Sequence, residues 1–289
     1  MQTTIQQALA HTTPLLASVS DASLLEAEIL LAFVLQKERS YLYAWPQTLL
    51  TTAQQTQFAA YVKRRLQKEP IAYLTGTKEF WSLPLRVTPD TLTPRPETEL
   101  LVEHVLAAFA KTDCIRIADL GTGSGAIAAA LASERPHWEI IAVDNNASAL
   151  AVAKANAQRL GFKNIQFYCG NWCEALPMTG FTAIISNPPY IAETEWQNYA
   201  DGLSFEPRAA LVSGEDGLSA IRDISRQAKQ FLTADGRLFL EHGSGQGAAV
   251  RAILSQDSYK NAYSVCDLSG NERISMAQSE YFSLKIPRI

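Results

Sequence analysis

The chain has 289 residues, of which 47% are hydrophobic and 19% are charged, and this composition is typical of an ordinary globular protein with one large domain or two smaller ones. No long uncharged apolar segment predicts a membrane span, and the N-terminus lacks a secretory signal, so we expect a cytoplasmic protein with no membrane partner. The net charge of −4 argues against a surface built mainly to hold a nucleic-acid backbone, and we expect no direct nucleic-acid partner.

Helical periodicity dominates residues 1–75, which we expect to form a small helical domain. One helix is predicted over residues 52–68, and the Glu69-Pro70 sequence that follows ends it. An earlier stretch, residues 21–37, begins at an Asp or Ser cap. Its spacing predicts that five apolar residues share one buried face: Leu24, Leu25, Ile29, Phe33 and Val34.

The pattern changes over residues 76–96, where apolar residues alternate and prolines interrupt them. Short strands joined by Pro-containing turns fit this pattern best, and we expect a hairpin-like linker.

Strands and helices alternate over residues 97–289, which predicts a doubly wound α/β domain with a mostly parallel sheet. The predicted strands cover residues 115–120, 140–143, 165–168, 183–186 and 237–240. The predicted helices cover residues 126–134, 147–160, 217–232 and 247–254. Two alternating segments around S-G-N near the end predict an antiparallel pair. Ligands of such sheets bind beyond the carboxyl ends of the strands.

A glycine-rich turn, D-L-G-T-G-S-G, follows the first of these strands at residues 119–125. Gly121, Gly123 and Gly125 allow a tight turn and a close approach by a ligand. Asp144 ends the next strand about 20 residues later, where an acid that binds a ribose is expected. The match is loose, and glycines that serve only strand–helix packing are the alternative.

Charge separates the candidate nucleotides at this turn. Asp119 lies two residues before the first glycine, where a carboxylate would disfavour the two phosphates of a dinucleotide. S-adenosylmethionine carries an ammonium and a sulfonium instead, so it fits the acid better. Asp144 suits either ligand.

The stretch I-I-S-N-P-P-Y-I ends the fourth strand abruptly at two prolines. The side-chain oxygen of Asn187 and the carbonyl oxygen of Pro188 could accept the hydrogens of a planar amide or of an exocyclic amine. Pro188 and Pro189 would fix the backbone, and Tyr190 offers a flat face to such a group. This arrangement favours methyl transfer to a planar nitrogen, and the alternative is an edge turn with an ordinary buried Tyr.

Two further segments are candidates for binding. Trp172 follows the third strand, where adenine would lie, although a core Trp is the alternative. The connection over residues 191–216 is long for an α/β domain, so we expect it to cover the acceptor, and a disordered surface segment is the alternative.

The four cysteines form no paired C-x-x-C sets, and no second set of ligands has the spacing of a zinc site. We therefore expect buried free thiols and no metal.

The motifs together resemble the release factor glutamine N5-methyltransferases, the HemK family. The resemblance spans nearly the whole chain and includes E-P-I-A-Y-L-T-G-T-K-E-F, T-P-R-P-E-T-E, D-L-G-T-G-S-G-A-I-A, S-N-P-P-Y-I, F-E-P-R-A-A-L and G-N-E-R. It implies a seven-stranded Rossmann-like methyltransferase sheet behind a helical substrate-recognition domain and a hairpin linker. It also implies S-adenosylmethionine as donor, S-adenosylhomocysteine as product, and the Gly-Gly-Gln loop of peptide chain release factors as acceptor.

The resemblance also assigns roles to residues. The implied donor contacts are Gly121, Thr122, Gly123, Ser124, Gly125, Asp144, Trp172 and Asn187. The implied glutamine pocket consists of Asn187, Pro188, Pro189 and Tyr190, of which Asn187, Pro188 and Tyr190 would be catalytic. One departure is Asn171, where the family often has Asp; the Asn side chain can still accept a hydrogen bond from adenine.

Other functions remain open from sequence. The nearest is a glutamine methyltransferase of a large-subunit ribosomal protein, which would have a P-R-S-P version of the T-P-R-P-E-T-E motif. A methyltransferase of nucleic-acid bases would normally carry a basic surface. A nucleotide-binding module without catalysis and an NAD enzyme are alternatives of a different class. We expect a monomer that uses its helical domain to hold the release factor.

Overall fold

The computed structural model describes residues 3–280, apart from the side chain of Asp201. The chain divides into two compact units, Met1–Thr77 and Lys78–Ile289. Each unit is described by itself below.

The first unit is all-helical. Its helices are α1 (Ile5–Leu16), α2 (Ser23–Leu35), α3 (Arg39–Ala44), α4 (Thr52–Leu66) and α5 (Ile71–Thr75). Helices α1 and α4 each begin with a capping box, in which Thr4 pairs with Gln7 and Thr51 pairs with Gln54. These caps satisfy backbone N–H groups that a helix start otherwise leaves unpaired.

The predicted buried face of α2 is wrong for three of its five residues. Leu24, Leu25 and Phe33 are 50%, 40% and 40% exposed, whereas Val34 is buried. The apolar residues of α2 that enter the core of this unit are Ala27, Leu30, Leu31, Ala32 and Val34. Helix α2 is apolar on nearly every side, so the spacing of apolar residues alone could not identify which face is buried.

The second unit begins with a two-stranded sheet of β1 (Thr77–Phe80) and β2 (Leu83–Arg86). Helix α6 (Thr98–Ala108) follows, and the sequence had given no separate prediction for it. Phe80 and Leu85 of the small sheet are buried in the same cluster as Leu101 and Val105 of α6.

The remaining elements build a seven-stranded sheet with helices on both faces. The strands are β3 (Arg116–Leu120), β4 (Glu139–Asp144), β5 (Ile165–Cys169), β6 (Phe181–Ser186), β7 (Leu232–Glu241), β8 (Tyr259–Cys266) and β9 (Glu272–Ser279). The helices are α7 (Ala126–Glu134), α8 (Ala147–Leu160), α9 (Trp196–Leu203), α10 (Ser219–Ala228) and α11 (Gly247–Gln256).

The strand order is β5-β4-β3-β6-β7-β9-β8. The first five strands in this order are parallel, and β9 runs antiparallel to both β7 and β8. The order reverses between β3 and β6, which is the place where doubly wound sheets bind ligands. The predicted fold class and the terminal antiparallel pair are confirmed.

Alternation along the strands supplies two cores. On β3, Ile117 enters one cluster while Ala118 and Leu120 enter the other, because successive side chains point to opposite faces of a sheet. Ile185 and Ile184 of β6 alternate in the same way. Both faces of the sheet are therefore buried, which holds the strand ends rigidly in register.

Two boundaries in the second unit differ from the prediction. The helix expected over residues 217–232 ends at Ala228, and Leu232 pairs with Phe181 as the first residue of β7. The apolar pair Phe231 and Leu232 continues the helical spacing, so the periodicity did not show where the strand begins. Residues 191–216 are folded: they contain α9 and two short 3-10 turns, and Ile191 bridges to Val212.

Candidate active site

A cavity lies at the carboxyl ends of the parallel strands, where their order reverses. Four predicted segments line it: the turn after β3, the end of β4, the turn after β5 and the segment after β6. Of the residues that the sequence analysis assigned, this cavity brings together Gly121, Gly123, Asp144, Trp172, Asn187 and Pro189.

The glycine turn has the conformation that the sequence predicts. Gly121, Gly123 and Gly125 have φ angles of +72°, +57° and +83°, a region that side chains disfavour. A Cβ atom on Gly121 would lie 3.2 Å from the ring of Trp172, and one on Gly125 would lie 3.1 Å from the Cβ atom of Ala153. The first glycine therefore serves the cavity, and the third lets α7 pack against α8.

Thr122, Ser124 and Gly125 do not line the cavity. Thr122 and Ser124 are buried, and the carbonyl oxygen of Ser124 accepts a hydrogen bond of 2.9 Å from Nδ2 of Asn156. These residues support the turn from behind. Their assignment as donor contacts stays a prediction.

Asp144 connects the turn to the end of β4. Its Oδ2 accepts a hydrogen bond of 2.8 Å from the backbone N–H of Gly123, and its Oδ1 accepts one of 2.9 Å from Asn146. Burial raises the pKa of this carboxyl, and the two hydrogen bonds oppose that rise. Each carboxylate oxygen has a second lone pair, so Asp144 can also accept from a ligand in the cavity.

Asp119 does not face the ligand side of the turn, although its position before the first glycine had predicted that it would. It is fully buried beneath the turn and does not line the cavity. Its Oδ2 accepts from Oγ1 of Thr122 at 2.6 Å and from the backbone N–H of Ala128 at 3.2 Å, while Oδ1 has no hydrogen-bond partner within residues 3–280. Burial raises the pKa of Asp119 to about 7. The acid thus holds the turn to the start of α7.

Trp172 both packs against the core and lines the cavity, and its contact with adenine stays a prediction. It follows β5 with a left-handed φ of +43°, its ring approaches Gly121, and it packs at the edge of the core beneath α10. The same side chain lines the cavity, together with Asn171. An aromatic ring in this position offers a flat apolar wall to a planar ligand.

Asn187 follows β6 directly and is half-buried. Its Nδ2 donates a hydrogen bond of 3.0 Å to Oγ1 of Thr98, the first residue of α6. Pro188 is buried and does not line the cavity, whereas Pro189 does. Because Nδ2 of Asn187 is bound on the protein side, its Oδ1 is available as an acceptor.

Tyr190 lies beside the cavity among charged groups. Burial raises its pKa to about 12, Glu241 adds to the rise, and Arg273 and Arg95 oppose it. Its backbone is held on both sides, because its N–H donates to Leu211 and its carbonyl accepts from Nε2 of Gln246 at 3.0 Å. Because its pKa is raised, the phenol of Tyr190 stays neutral at physiological pH.

Several residues of the site were not assigned from sequence. The linker contributes Asp90, Thr91 and Leu92 to the cavity, and the segment over residues 191–216 contributes Pro207, Ala209 and Ala210. An ion pair joins these two segments: Arg95 binds Oε1 of buried Glu206 at 2.5 Å, and Oε2 accepts from the backbone N–H of Thr93 at 3.0 Å. These residues belong to the T-P-R-P and F-E-P-R motifs, which had signalled the family but not a role.

The chemistry of the cavity wall fits a donor that carries positive charge. No Lys or Arg is among the described residues that line it, whereas Asp90 and Asp144 are. A dinucleotide would bring two phosphate charges with no cation to receive them. S-adenosylmethionine brings an ammonium, a sulfonium and ribose hydroxyls, for which carboxylates are suitable partners. Within residues 3–280, no group of three or more His, Cys, Asp or Glu side chains could hold a metal ion. The four cysteines are free thiols, but only Cys173 is buried, so the expected burial is wrong for the other three.

Solved structures with the same fold are methyltransferases. A ribosomal protein L11 methylase from Lactobacillus delbrueckii subsp. bulgaricus aligns with a TM-score of 0.50 and 17% identity, over 68% of this chain and 86% of that one. A methyltransferase from Pyrococcus furiosus aligns with a TM-score of 0.51 and 16% identity, over 77% and 100%. At these identities the likeness concerns the fold alone. Within the described part of the chain, every helix is too short or too polar to cross a membrane.

Sequence comparison resolves the family. A model described as the PrmC N-terminal domain matches residues 7–76, and a model described as the methyltransferase small domain matches residues 96–214. The release factor glutamine methyltransferase of Coxiella burnetii is 48% identical over 95% of this chain and 98% of its own length. The protein of that name from Escherichia coli is 46% identical over 88% and 91%. With such identity across both units, this chain belongs to the release factor glutamine methyltransferase family.

Proposed function

We propose that this protein transfers a methyl group from S-adenosylmethionine to the side-chain amide nitrogen of the glutamine in the Gly-Gly-Gln motif of peptide chain release factors. The observation that carries the proposal is the identity of 48% and 45% to two release factor glutamine methyltransferases over 95% and 96% of this chain, whose Asn187 and Pro189 line the cavity. The reaction takes place in the cytoplasm, where release factors act, and we expect the enzyme to work as a monomer.

The donor is held on the side of the cavity formed by β3, β4 and β5. Gly121 and Gly123 leave room for it, Asp144 accepts hydrogen bonds from its ribose, and Trp172 packs against its adenine. When bound, S-adenosylmethionine supplies an electrophilic methyl group on a sulfonium and leaves as S-adenosylhomocysteine. Thr122, Ser124 and Gly125 support this site by fixing the turn, with no side-chain contact required of them.

The acceptor amide is held on the side formed by β6. An amide nitrogen is a weak nucleophile because its lone pair is delocalised into the carbonyl group. Oδ1 of Asn187 and the carbonyl oxygen of Pro188 accept the two amide hydrogens, which fixes the nitrogen and stabilises the positive charge that develops on it. Pro188 and Pro189 stiffen this backbone, and Tyr190 packs against the flat amide as a neutral phenol.

The helical unit provides contacts remote from the reacting loop. A single glutamine on a short loop offers little surface, and binding energy from distant contacts can be used to position a reactive group. We therefore assign residues 1–75 to holding the body of the release factor, residues 76–96 to the linker, and residues 97–289 to donor binding and catalysis.

Methyl transfer to purified acceptors tests the proposal. The enzyme and radiolabelled S-adenosylmethionine would be incubated with each of three acceptors in separate reactions: a release factor, total large-subunit ribosomal protein, and DNA. We expect label in the release factor alone. Preferential labelling of ribosomal protein or DNA would replace the acceptor that we propose. Binding of S-adenosylmethionine should raise the melting temperature of the enzyme, and no change in melting temperature would contradict the proposed donor.

A further inference from the structure

A buried polar cluster lies directly behind Asn187, on the side away from the cavity. Thr98, at the start of α6, is 4% exposed, and Glu241, at the end of β7, is 2% exposed. Strands β6 and β7 are parallel neighbours, and Ser186 pairs with Leu240. Asn187 and Glu241 are therefore the next residues on two adjacent strand ends, and Thr98 binds the first of them.

The cluster forms a chain of hydrogen bonds with a direction. Asn187 Nδ2 donates to Oγ1 of Thr98 at 3.0 Å. The hydroxyl of Thr98 has one proton of its own and, as a donor to the Glu241 carboxyl, lowers the pKa of that group, while Oε2 of Glu241 has no hydrogen-bond partner within residues 3–280. Asn187, as a side-chain donor, also lowers the pKa of Glu241. The carboxylate ends the chain because an ionised carboxyl only accepts.

We propose that Thr98 and Glu241 are positioning residues, which hold the side-chain amide of Asn187 with its nitrogen toward the protein and its oxygen toward the acceptor glutamine. This inference rests on the proposed function, in which Oδ1 of Asn187 accepts a hydrogen from the reacting amide. Neither Thr98 nor Glu241 lines the cavity, so both act through Asn187.

The device answers a specific problem of an asparagine side chain. Its oxygen and nitrogen ends have nearly the same shape, and rotation by half a turn exchanges them. With Nδ2 toward the cavity, Asn187 would present donors to an acceptor NH2 group that itself has only hydrogens to offer. An acceptor-only carboxylate behind the Thr98 hydroxyl removes this ambiguity, because it makes the hydroxyl donate inward and accept from Asn187.

The ionisation of Glu241 connects the device to pH. Burial raises its pKa to about 7; Thr98 and Asn187 oppose the rise by hydrogen bonding, Glu97 before α6 adds to it, and Arg273 on β9 opposes it. Tyr190 also faces this carboxyl. When Glu241 is protonated it can donate, and the direction of the chain is no longer fixed. Turnover should therefore fall as the pH drops through the pKa of Glu241.

Kinetic variants test the inference. Thr98→Val keeps the shape but removes the hydroxyl, and we expect saturated turnover to fall about tenfold, the usual effect of one hydrogen bond, with donor affinity unchanged. Thr98→Ser should restore most of the turnover. Glu241→Gln should lower turnover by a similar factor and abolish the acid limb of its pH profile. The double variant should be no slower than the slower single variant, because both changes interrupt the same chain.

A matched pair on the far side of the sheet controls for the loss of a buried hydrogen bond as such. Oγ of buried Ser225 in α10 donates to Oδ2 of Asp257 at 2.6 Å. Ser225→Ala and Asp257→Asn should alter stability but neither the turnover nor the pH profile. Wild-type turnover in Thr98→Val, or an unchanged acid limb in Glu241→Gln, would overturn the inference. If Thr98→Val does not fold, the pH profile of Glu241→Gln decides.

A measurement without any acceptor separates this inference from the proposed function. The side-chain NH2 signal of Asn187 in a ¹⁵N NMR spectrum can be assigned by its loss in Asn187→Ala. We expect slow hydrogen exchange of this group in the wild-type protein and fast exchange in Thr98→Val. Equal exchange in both proteins would overturn the positioning role. A wild-type enzyme that shows slow exchange but methylates no release factor would instead count against the proposed acceptor.

Discussion

The two sides of the cavity are built by different means. The proposed donor side, after β3 and β4, consists of glycine backbone and the carboxylate of Asp144, which is itself bound by backbone N–H groups of Gly123 and Asn146. The proposed acceptor side, after β6 and β7, consists of side chains, with Asn187 bound to Thr98 and the buried carboxyl of Glu241 on the neighbouring strand end.

Under the proposed function, this difference separates donor binding from reactivity. A ligand held by backbone and by a ribose-binding acid gains nearly the same energy in the ground state and in the transition state, which raises affinity without raising the rate. Preorganised acceptors around a reacting nitrogen act mainly in the transition state. Substitutions on the two sides should therefore change different kinetic constants.

The largest effect is expected from the acceptor side. Asn187→Ala should lower saturated turnover by about 10²–10³-fold, the usual loss for one preorganised polar contact, while donor affinity stays near that of the wild type. Asn164→Ala is a matched control. Asn164 is half-buried, directly precedes β5 and does not line the cavity, and its side chain donates to the backbone carbonyl groups of Arg135 and Trp138. Near wild-type turnover of a folded Asn187→Ala variant would show that the acceptor side has been misassigned.

A change on the donor side should have the opposite signature. Asp144→Ala should weaken donor binding by about 10–100-fold, as expected for hydrogen bonds to a charged group, and change saturated turnover by less than about threefold. Asp144→Asn, which keeps one acceptor oxygen, should lie between. Titration calorimetry and turnover at saturating donor provide the two numbers, and a turnover loss larger than the affinity loss would contradict the ribose assignment.

Removal of the helical unit should affect only large acceptors. A chain that begins at Lys78 should bind S-adenosylmethionine normally but lose about tenfold or more in kcat/KM on intact release factor, because remote contacts no longer position the loop. Its activity on a Gly-Gly-Gln peptide should change little. Thermal melts check that the shortened chain folds, and equal efficiency on intact factor with and without the helical unit would refute the recognition role.

The smallest effect on activity is expected from Asp119, beneath the glycine turn. This residue should instead change how the free energy of unfolding depends on pH. Its pKa is about 7 in the folded protein and near 3.8 when exposed, so the folded state binds the proton more tightly. Stability from this group is complete below the lower value and is lost as the pH rises through about 7. The wild type should therefore lose up to about 1.4 kcal/mol per pH unit relative to Asp119→Asn within this window. Parallel stability curves from urea unfolding would contradict this.

The sequence predicted the parts of the fold in which local signals agree. Helix α8 has the predicted bounds, because Asn146 caps its start and Gly161, with a φ of +81°, ends it. Strands β3, β4 and β6 were found within two residues at each end, since their apolar runs stop at the glycine turn, at Asp144 and at two prolines. Local chemistry at the two ends was sufficient in these cases.

Long-range pairing decides the features that the sequence did not reveal. Glu206 and Arg95 are 111 positions apart, and only the folded chain brings them together. Thr98 begins α6, Asn187 follows β6 and Glu241 ends β7, and no spacing rule connects them. Asp119 was placed in the correct turn, but whether its carboxylate faces the ligand or the core depends on how α7 packs, since the N–H of Ala128 binds it.

The central claim is that this protein methylates the glutamine of the Gly-Gly-Gln motif and no other residue. Mass spectrometry of peptides from a purified release factor, after reaction with the enzyme and S-adenosylmethionine, tests it most directly. We predict one added methyl group on the side chain of that glutamine, and none when the factor carries asparagine there or the enzyme carries Asn187→Ala. A methyl group at another residue, or full methylation of the asparagine-substituted factor, would contradict the account.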